Sequence, residues 1–241
     1  MLHQHRCGSS VLGTMLGTHP EVTWRSEVLT FDRMRWESIG GTVADWPCRP
    51  WRLIDHKRWE MPQGWFGCEI THRNVSDLGL SMQEVIDTAA AKGFSRFIVL
   101  ERRNHLRRYV SSRIGAARGK LHHNLGEAIE PIRAEIDTLQ TGLSCQRNPL
   151  LERLQRDHDS MQEMLALTRP YGGLHLVYED HVEQDPSVAY RMTCEHLGLA
   201  PERVEPALQR GNPQPIRELI KDCGPVERAL RGTRFEWMLD A

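Results

Sequence analysis

The stretch LHQHRCGSSVLGTML, residues 2–16, has the pattern of a short strand, a tight turn and a helix. The run 2–5 predicts a brief strand, and Gly8 permits the tight backbone turn that follows. Apolar residues then recur at helical spacing: Val11, Leu12, Met15 and Leu16. A strand that turns directly into a helix is typical of the first unit of a doubly wound α/β fold, so this stretch sets the expectation for the whole chain.

The turn at residues 6–10 carries groups that bind anions. Backbone amides at a helix N-terminus bind phosphate or sulfate, the hydroxyls of Ser9 and Ser10 add donors, and Arg6 adds positive charge. A nucleoside-triphosphate P-loop needs a Lys directly before its magnesium-binding Ser or Thr, whereas Gly8 precedes Ser9 here. The sequence therefore favours an anion loop that does not serve ATP. An ordinary serine-rich helix cap is the alternative interpretation.

Three further apolar runs predict strands of a parallel sheet: WFGCEI (65–70), RFIVLE (96–101) and LHLVYE (174–179). Strands that alternate with helices predict a doubly wound sheet, whose ligands bind at the carboxyl ends of the strands. A chain of 241 residues can form one such domain, so we expect a single domain over 1–241.

Residues that typically begin and end helices support this pattern. Ser81 with Glu84 forms a capping box for a helix that ends near Gly93, and Asp185 caps a helix that ends at Gly198. A third helix begins at Asn148-Pro149 and has an apolar stripe typical of a core face: Leu150, Leu151, Leu154, His158, Met161 and Leu165.

The segment 30–65 differs from the rest, because it is rich in Trp and Pro and has no clear period. Long excursions of this kind are usually lids or binding elements. We expect either a lid or acceptor-binding insertion, or a satellite core built from the tryptophans.

Composition limits the functional classes. Lys and Arg (31) nearly balance Asp and Glu (32), which argues against binding to nucleic acid. The six cysteines are scattered without a CxxC pair, and the histidines offer no set of three or four convergent ligands, so neither a disulfide framework nor a metal site is expected. The absence of an apolar run long enough for a membrane span predicts a soluble, cytoplasmic protein.

A second basic region follows the predicted strand 96–101. Seven Arg and Lys side chains fall within 102–120, next to the hydroxyl of Ser111. Paired charge and a hydroxyl at the carboxyl end of a strand suit a dianion, although a solvated helix face is the alternative. Arg107 and Arg108 are expected at the surface.

The segment RCGSSVLGTMLGTHPEVTWRSEVL (6–29) resembles the first phosphosulfate-binding segment of the sulfotransferase family, closest to the carbohydrate and protein-tyrosine branches. Those branches have RSGSS or RSGTT, a helix, HPxV and a Glu. The resemblance implies a P-loop-like three-layer sandwich with a central parallel sheet flanked by helices. It also implies that Glu27 is the catalytic base and that the loop binds 3′-phosphoadenosine 5′-phosphosulfate (PAPS) through Arg6, Cys7, Gly8, Ser9 and Ser10.

Two later segments extend the resemblance. Arg103 and Ser111 have the eight-residue spacing of the family's pair that binds the 3′-phosphate, and LVYEDHVEQDP (176–186) resembles a stretch in which Tyr178 reaches the nucleotide. The tail 217–239 is similar to that of bacterial members, where RGT-like residues cover the cofactor. Here these residues are Arg231, Gly232 and Thr233.

The resemblance therefore implies transfer of a sulfuryl group from PAPS to a hydroxyl of a carbohydrate, glycolipid or secondary metabolite. The nucleotide product would be 3′-phosphoadenosine 5′-phosphate (PAP), and the reaction would need no metal. Arg6 would stabilise the leaving oxygen, and His72 is a rival base to Glu27. Glu69 stands near the position where many members have a Lys. A P-loop small-molecule kinase and a non-catalytic nucleotide-binding module are the other two candidate functions.

Overall fold

Five parallel strands form the central sheet of the protein. The computed structural model describes residues 1–29, 51–52, 54–55, 64–77, 79–141 and 149–240. Its strands in chain order are β1 (Leu2–His3), β2 (Val22–Glu27), β3 (Trp65–Thr71), β4 (Ile98–Glu101), β5 (His123–Asn124), β6 (Leu174–Val177) and β7 (Leu208–Gln209). The main sheet has the order β2-β3-β1-β4-β6, while β5 and β7 form a separate antiparallel pair.

Helices connect these strands. They are α1 (Ser9–Leu16), α2 (His72–Asp77), α3 (Met82–Ala91), α4 (His105–Arg118), α5 (Leu150–Thr168), α6 (Tyr178–His181), α7 (Pro186–Leu197), α8 (Ile216–Leu219) and α9 (Gly224–Leu230). Short 3₁₀ turns lie at Arg169–Tyr171 and Glu236–Leu239. Within the described ranges, no helix combines the length and the hydropathy that a membrane crossing requires.

The sheet is buried on both faces, as successive residues of β4 demonstrate. Val99 packs with α3 and α5 on one face, whereas Ile98 and Leu100 pack with α1 and α7 on the other. Because side chains alternate across a strand, this division defines three layers. The predicted α/β architecture, a central parallel sheet flanked by helices, is confirmed.

The helix capping residues predicted from sequence are also confirmed. Ser81 and Glu84 form the reciprocal capping box at the start of α3, and the Asp185 side chain accepts the Ser187 amide at 2.9 Å at the start of α7, which ends at Gly198. Helix α5 begins at Leu150, while Asn148 lies outside the described residues. In its stripe, the members buried in the core are Leu150, Leu154 and Met161.

Most of the Trp-rich insertion, 30–65, lies outside the described residues. Where it is described, Trp51 and Ile54 pack against the core on the face that α3 covers, and Trp65 begins β3.

The expectation that Arg107 and Arg108 are surface residues is wrong, because they are 5% and 7% exposed. The Arg107 guanidinium donates to the carbonyls of Asn212 and Gln214, at 3.0 and 2.6 Å. Sequence periodicity along α4 could not reveal this burial, because the contacts come from distant parts of the chain: 212–214 for Arg107, and His5 and Asp157 for Arg108.

Candidate functional site

A cavity of about 270 Å³ opens at the carboxyl end of β1. Strand β1 lies between β3 and β4, and the chain leaves it through α1 toward the edge strand β2. Crevices at such reversals of strand order are the usual ligand sites of open α/β sheets. Several separate segments line the cavity, including 5–6, 8–11, 121–123 and 208–212.

The turn before α1 has the backbone form of an anion loop. Gly8 is the N-cap of α1 with φ 91°, and a Cβ there would lie 2.8 Å from Cδ2 of Tyr178, so only glycine fits. Helix N-termini leave their first amides without intrahelical acceptors, and here these amides belong to Ser9 and Ser10. Both residues line the cavity.

Arg6 occupies a strained position in this loop. Its φ of 66° places a non-glycine residue in the left-handed region. The Arg6 carbonyl accepts a hydrogen bond from Nη1 of Arg102 at 3.1 Å, which holds the backbone in this form. Strain of this kind persists where surrounding contacts impose it, most often at functional sites.

Four arginines line the cavity, against two glutamates, Glu27 and Glu183, in the described part of the chain. The arginines are Arg6, Arg102, Arg107 and Arg210. The Arg210 guanidinium forms an ion pair with Glu183 at 2.7 Å. The lining therefore carries an excess of positive charge that suits an anionic ligand.

The pKa shifts of these arginines also indicate a site for an anion. Burial, followed by the positive charges of Arg210 and Arg102, lowers the pKa of Arg107 to about 10. Burial also lowers the pKa of Arg102. The buried Nε atoms of Arg102 and Arg210 have no hydrogen-bond partner among the described residues. Buried donors are normally paired, so these atoms are available to a ligand that reaches them. An anion in the cavity would also relieve the repulsion between the arginines.

Ser111, one member of the second predicted anion half-site, contacts the anion loop. Its hydroxyl accepts a hydrogen bond from Nε of Arg6 at 3.2 Å and is 3.4 Å from Nδ2 of Asn212. Arg6 and Ser111 are 105 positions apart in the chain. The anion loop and helix α4 therefore face one common cleft.

Arg103 lies outside this cleft and does not join Ser111 there. Its guanidinium pairs with Asp180 and lies 3.9 Å from Glu179, with nearly half of its side chain exposed. Arg102 lines the cavity instead, with its guanidinium 4.1 Å from the ring centroid of Tyr178. Tyr178 is buried and contributes both to the core and to the cavity wall.

Glu27 reaches the cavity because β2 contains a bulge. Arg25 pairs with Cys68 and Glu27 pairs with Glu69, so Ser26 is the extra residue. Without the bulge, Ser26 would pair with Glu69, and strand alternation would turn Glu27 to the opposite face. The bulge therefore aims Glu27 into the cavity, where Nδ1 of His5 lies 3.3 Å from its Oε1.

The remaining predicted site residues do not line this cavity. Cys7 is fully buried in the core, and His72 begins α2, where burial lowers its pKa. In the tail, the Gly232 amide donates to Glu236, and the Thr233 hydroxyl donates to the Leu230 carbonyl. The segment 206–212 covers the cavity instead, and the pairing of β5 with β7 holds it in place.

Glu69 does not substitute for the strand lysine as a source of positive charge. It is buried, and its carboxylate accepts hydrogen bonds from Nε2 of His3 and Nε1 of Trp24, each at 3.0 Å. Its interactions extend to the Ser9 side chain of the anion loop. Glu69 therefore ties β1, β2 and α1 together beneath the loop.

Sequence reasoning missed several cavity residues. They are His5, Arg102, Arg107, His122, Arg210 and Asn212. The chain has Arg-Gly pairs at 118–119, 210–211 and 231–232, and sequence alone does not show that the pair at 210–211 lines the cavity. Neither a protein-family model nor a curated protein sequence matches this chain.

Proposed function

We propose that this chain is a sulfotransferase that moves a sulfuryl group from PAPS to a hydroxyl of a small molecule or carbohydrate. The observation that carries the proposal is the Arg6–Ser111 hydrogen bond, which joins the anion loop to the second basic element inside one arginine-lined cavity. A nucleotide with anionic groups at both its 3′ and 5′ positions uses two such elements, whereas a singly phosphorylated ligand needs one.

The loop amides, Ser9, Ser10 and Arg6 would hold the 5′-phosphosulfate. Ser111, together with Arg102 and Arg210, would hold the 3′-phosphate by charge-assisted hydrogen bonds. Apolar lining is available for a nucleobase: Val11, Val182, Pro186, Pro206 and Leu208.

In the proposed reaction, Glu27 takes the proton of the acceptor hydroxyl while the hydroxyl oxygen attacks the sulfur of PAPS. The bond between sulfur and the 5′-phosphate oxygen breaks, and Arg6 stabilises the negative charge that develops on that oxygen. The products are PAP and a sulfate ester. As in phosphoryl transfer, positioning and electrostatic stabilisation provide most of the catalysis.

His122 supports an acceptor position next to Glu27. It lines the cavity, and burial, followed by the positive charge of Arg6, lowers the pKa of its ring. A neutral imidazole can donate and accept hydrogen bonds, which suits an uncharged hydroxyl better than an anion.

Adjacent arginines provide a matched binding test. The variant Arg102→Ala is expected to weaken PAP binding about 10- to 100-fold, because it removes a buried charged donor, whereas Arg103→Ala should change it less than about 2-fold. Isothermal titration measures both affinities, and thermal unfolding establishes that each variant is folded. Equal losses for the two variants would contradict the assignment of Arg102.

The same titration separates the other two candidate functions. Wild-type protein that binds ATP-Mg and ignores PAP would be a kinase rather than a sulfotransferase. Protein that binds PAP but transfers no label from radiolabelled PAPS to any member of a panel of hydroxyl acceptors would be a nucleotide-binding module. The proposal expects PAP binding and a labelled product.

A further inference from the structure

His5 contacts the carboxylate proposed as the base. It lies two residues after the end of β1, whereas Glu27 ends β2, and β3 lies between these strands in the sheet. The His5 Nδ1 to Glu27 Oε1 distance is 3.3 Å, and both side chains line the cavity. His5 is therefore close enough to hold one oxygen of Glu27.

The backbone at His5 is anchored independently of Glu27. The His5 carbonyl accepts a hydrogen bond from Nε of Arg108 at 2.9 Å, and Arg108 forms an ion pair with Asp157 at 3.3 Å. Arg108 is 7% exposed. This buried connection to α4 and α5 fixes the starting point of the His5 side chain.

The environment of the ring defines its tautomer. Nε2 of His5 is buried and has no hydrogen-bond partner among the described residues. A buried N–H without an acceptor is rarer than an under-used acceptor, and an N–H that faces a carboxylate forms a charge-assisted hydrogen bond. We therefore expect the proton of the neutral ring on Nδ1, which lies 3.3 Å from Oε1 of Glu27.

We infer that His5 is a positioning residue for Glu27: its Nδ1–H holds Oε1 and so fixes the orientation of the carboxylate that takes the acceptor's proton. This inference rests on the proposed sulfuryl transfer and adds to it a dyad of His5 and Glu27. In this role His5 acts through the carboxylate of Glu27.

Three substitutions of His5 test this role by rate. His5→Ala should lower kcat about 10- to 100-fold, because small misplacements of a catalytic group have effects of this size. His5→Asn places an amide N–H near the position of Nδ1 and should restore kcat to within about 3-fold of wild type. His5→Gln extends its amide toward the position of Nε2 and should resemble His5→Ala. PAP affinity should be unchanged in all three.

A double-variant cycle distinguishes positioning from general damage. In a Glu27→Gln background, His5→Ala should cause no further loss of kcat, since no base remains to be positioned. The same fractional loss in both backgrounds, or wild-type kcat in His5→Ala, would overturn the inference. So would equal kcat in His5→Asn and His5→Ala.

A spectroscopic measurement tests the pair even if the protein transfers no sulfuryl group. Nitrogen-15 NMR of the full chain should show the neutral His5 ring protonated on Nδ1, with signals that move in Glu27→Gln. A ring protonated on Nε2, or signals unaffected by Glu27→Gln, would overturn the dyad. Loss of activity with the dyad signals intact would count only against the proposed function.

Discussion

Replacing Glu27 with Gln should lower sulfuryl transfer about 100- to 10,000-fold, the usual contribution of a general base. Glutamine keeps the size of the side chain and still offers an oxygen to Nδ1 of His5, but its amide cannot take the proton of an acceptor hydroxyl. Initial rates with radiolabelled PAPS and saturating acceptor measure the loss. PAP affinity, measured by titration, should be unchanged, because the loss is in chemistry and not in nucleotide binding.

Glu21 provides the matched control for this experiment. It immediately precedes β2 and is exposed, whereas Glu27 ends the same strand inside the cavity. Glu21→Gln should therefore leave the rate and PAP affinity unchanged. Near wild-type turnover in Glu27→Gln with PAP still bound would remove Glu27 as the base. The search would then turn to His122, because it lines the same cavity and His72 does not.

The fold could be predicted from sequence where local signals agree. The apolar runs of β3, β4 and β6 and the capping residues of α3 and α7 each identify an element without help from the rest of the chain. Strand β2 was missed, because VTWRSE has few apolar residues and lies at the edge of the sheet. An edge strand has a neighbouring strand on one side only and is less enclosed than a central strand, so its sequence need not be strongly apolar.

The site could be predicted only where the backbone pattern determines it. The loop 6–10 was found because glycine, hydroxyls and a helix start are local features, and they face the cavity in the structure. Arg102 and Arg103 are adjacent arginines after β4, and the sequence does not show which of them faces the cavity. The direction of the backbone at the end of the strand decides this. The bulge at Ser26 is likewise invisible in sequence, because it depends on pairing with β3.

The buried pair of His3 and Glu69 leads to the prediction with the largest effect on stability. Nδ1 of His3 faces the Gln4 carbonyl at 3.1 Å, and Nε2 faces Oε2 of Glu69 at 3.0 Å. Both nitrogens therefore donate to oxygen acceptors, which requires a protonated ring. Although burial opposes the charge, interactions with Cys7 and Glu69 raise the pKa of His3 to about 10. Burial also opposes the charge of Glu69, yet the contacts with His3, Trp24 and Ser9 lower the pKa of this carboxyl.

Glu69→Ala should lower the free energy of unfolding by about 3–5 kcal/mol, because it leaves the charged ring of His3 buried without its partner. The expected fall in Tm is roughly 6–20 °C for a chain of this length. Urea unfolding followed by circular dichroism measures the loss. Lys92→Ala removes an ion pair with Asp55 in which both side chains are partly exposed, and it should cost less than about 1 kcal/mol. A similar small loss in Glu69→Ala would show that the buried pair contributes little.

The stability difference between wild type and Glu69→Ala should also depend on pH. Since folding raises the pKa of His3 from 6.5 to about 10, its contribution is complete below pH 6.5 and is lost as the pH rises through about 10. Since folding lowers the pKa of Glu69 from 4.5, its contribution is present above pH 4.5 and is lost as the pH falls below that value. The difference should therefore be greatest between pH 4.5 and 6.5 and should shrink toward pH 10. A difference that stays constant from pH 6.5 to pH 10 would mean that folding does not raise the pKa of His3, and that Glu69 acts only as a hydrogen-bond acceptor.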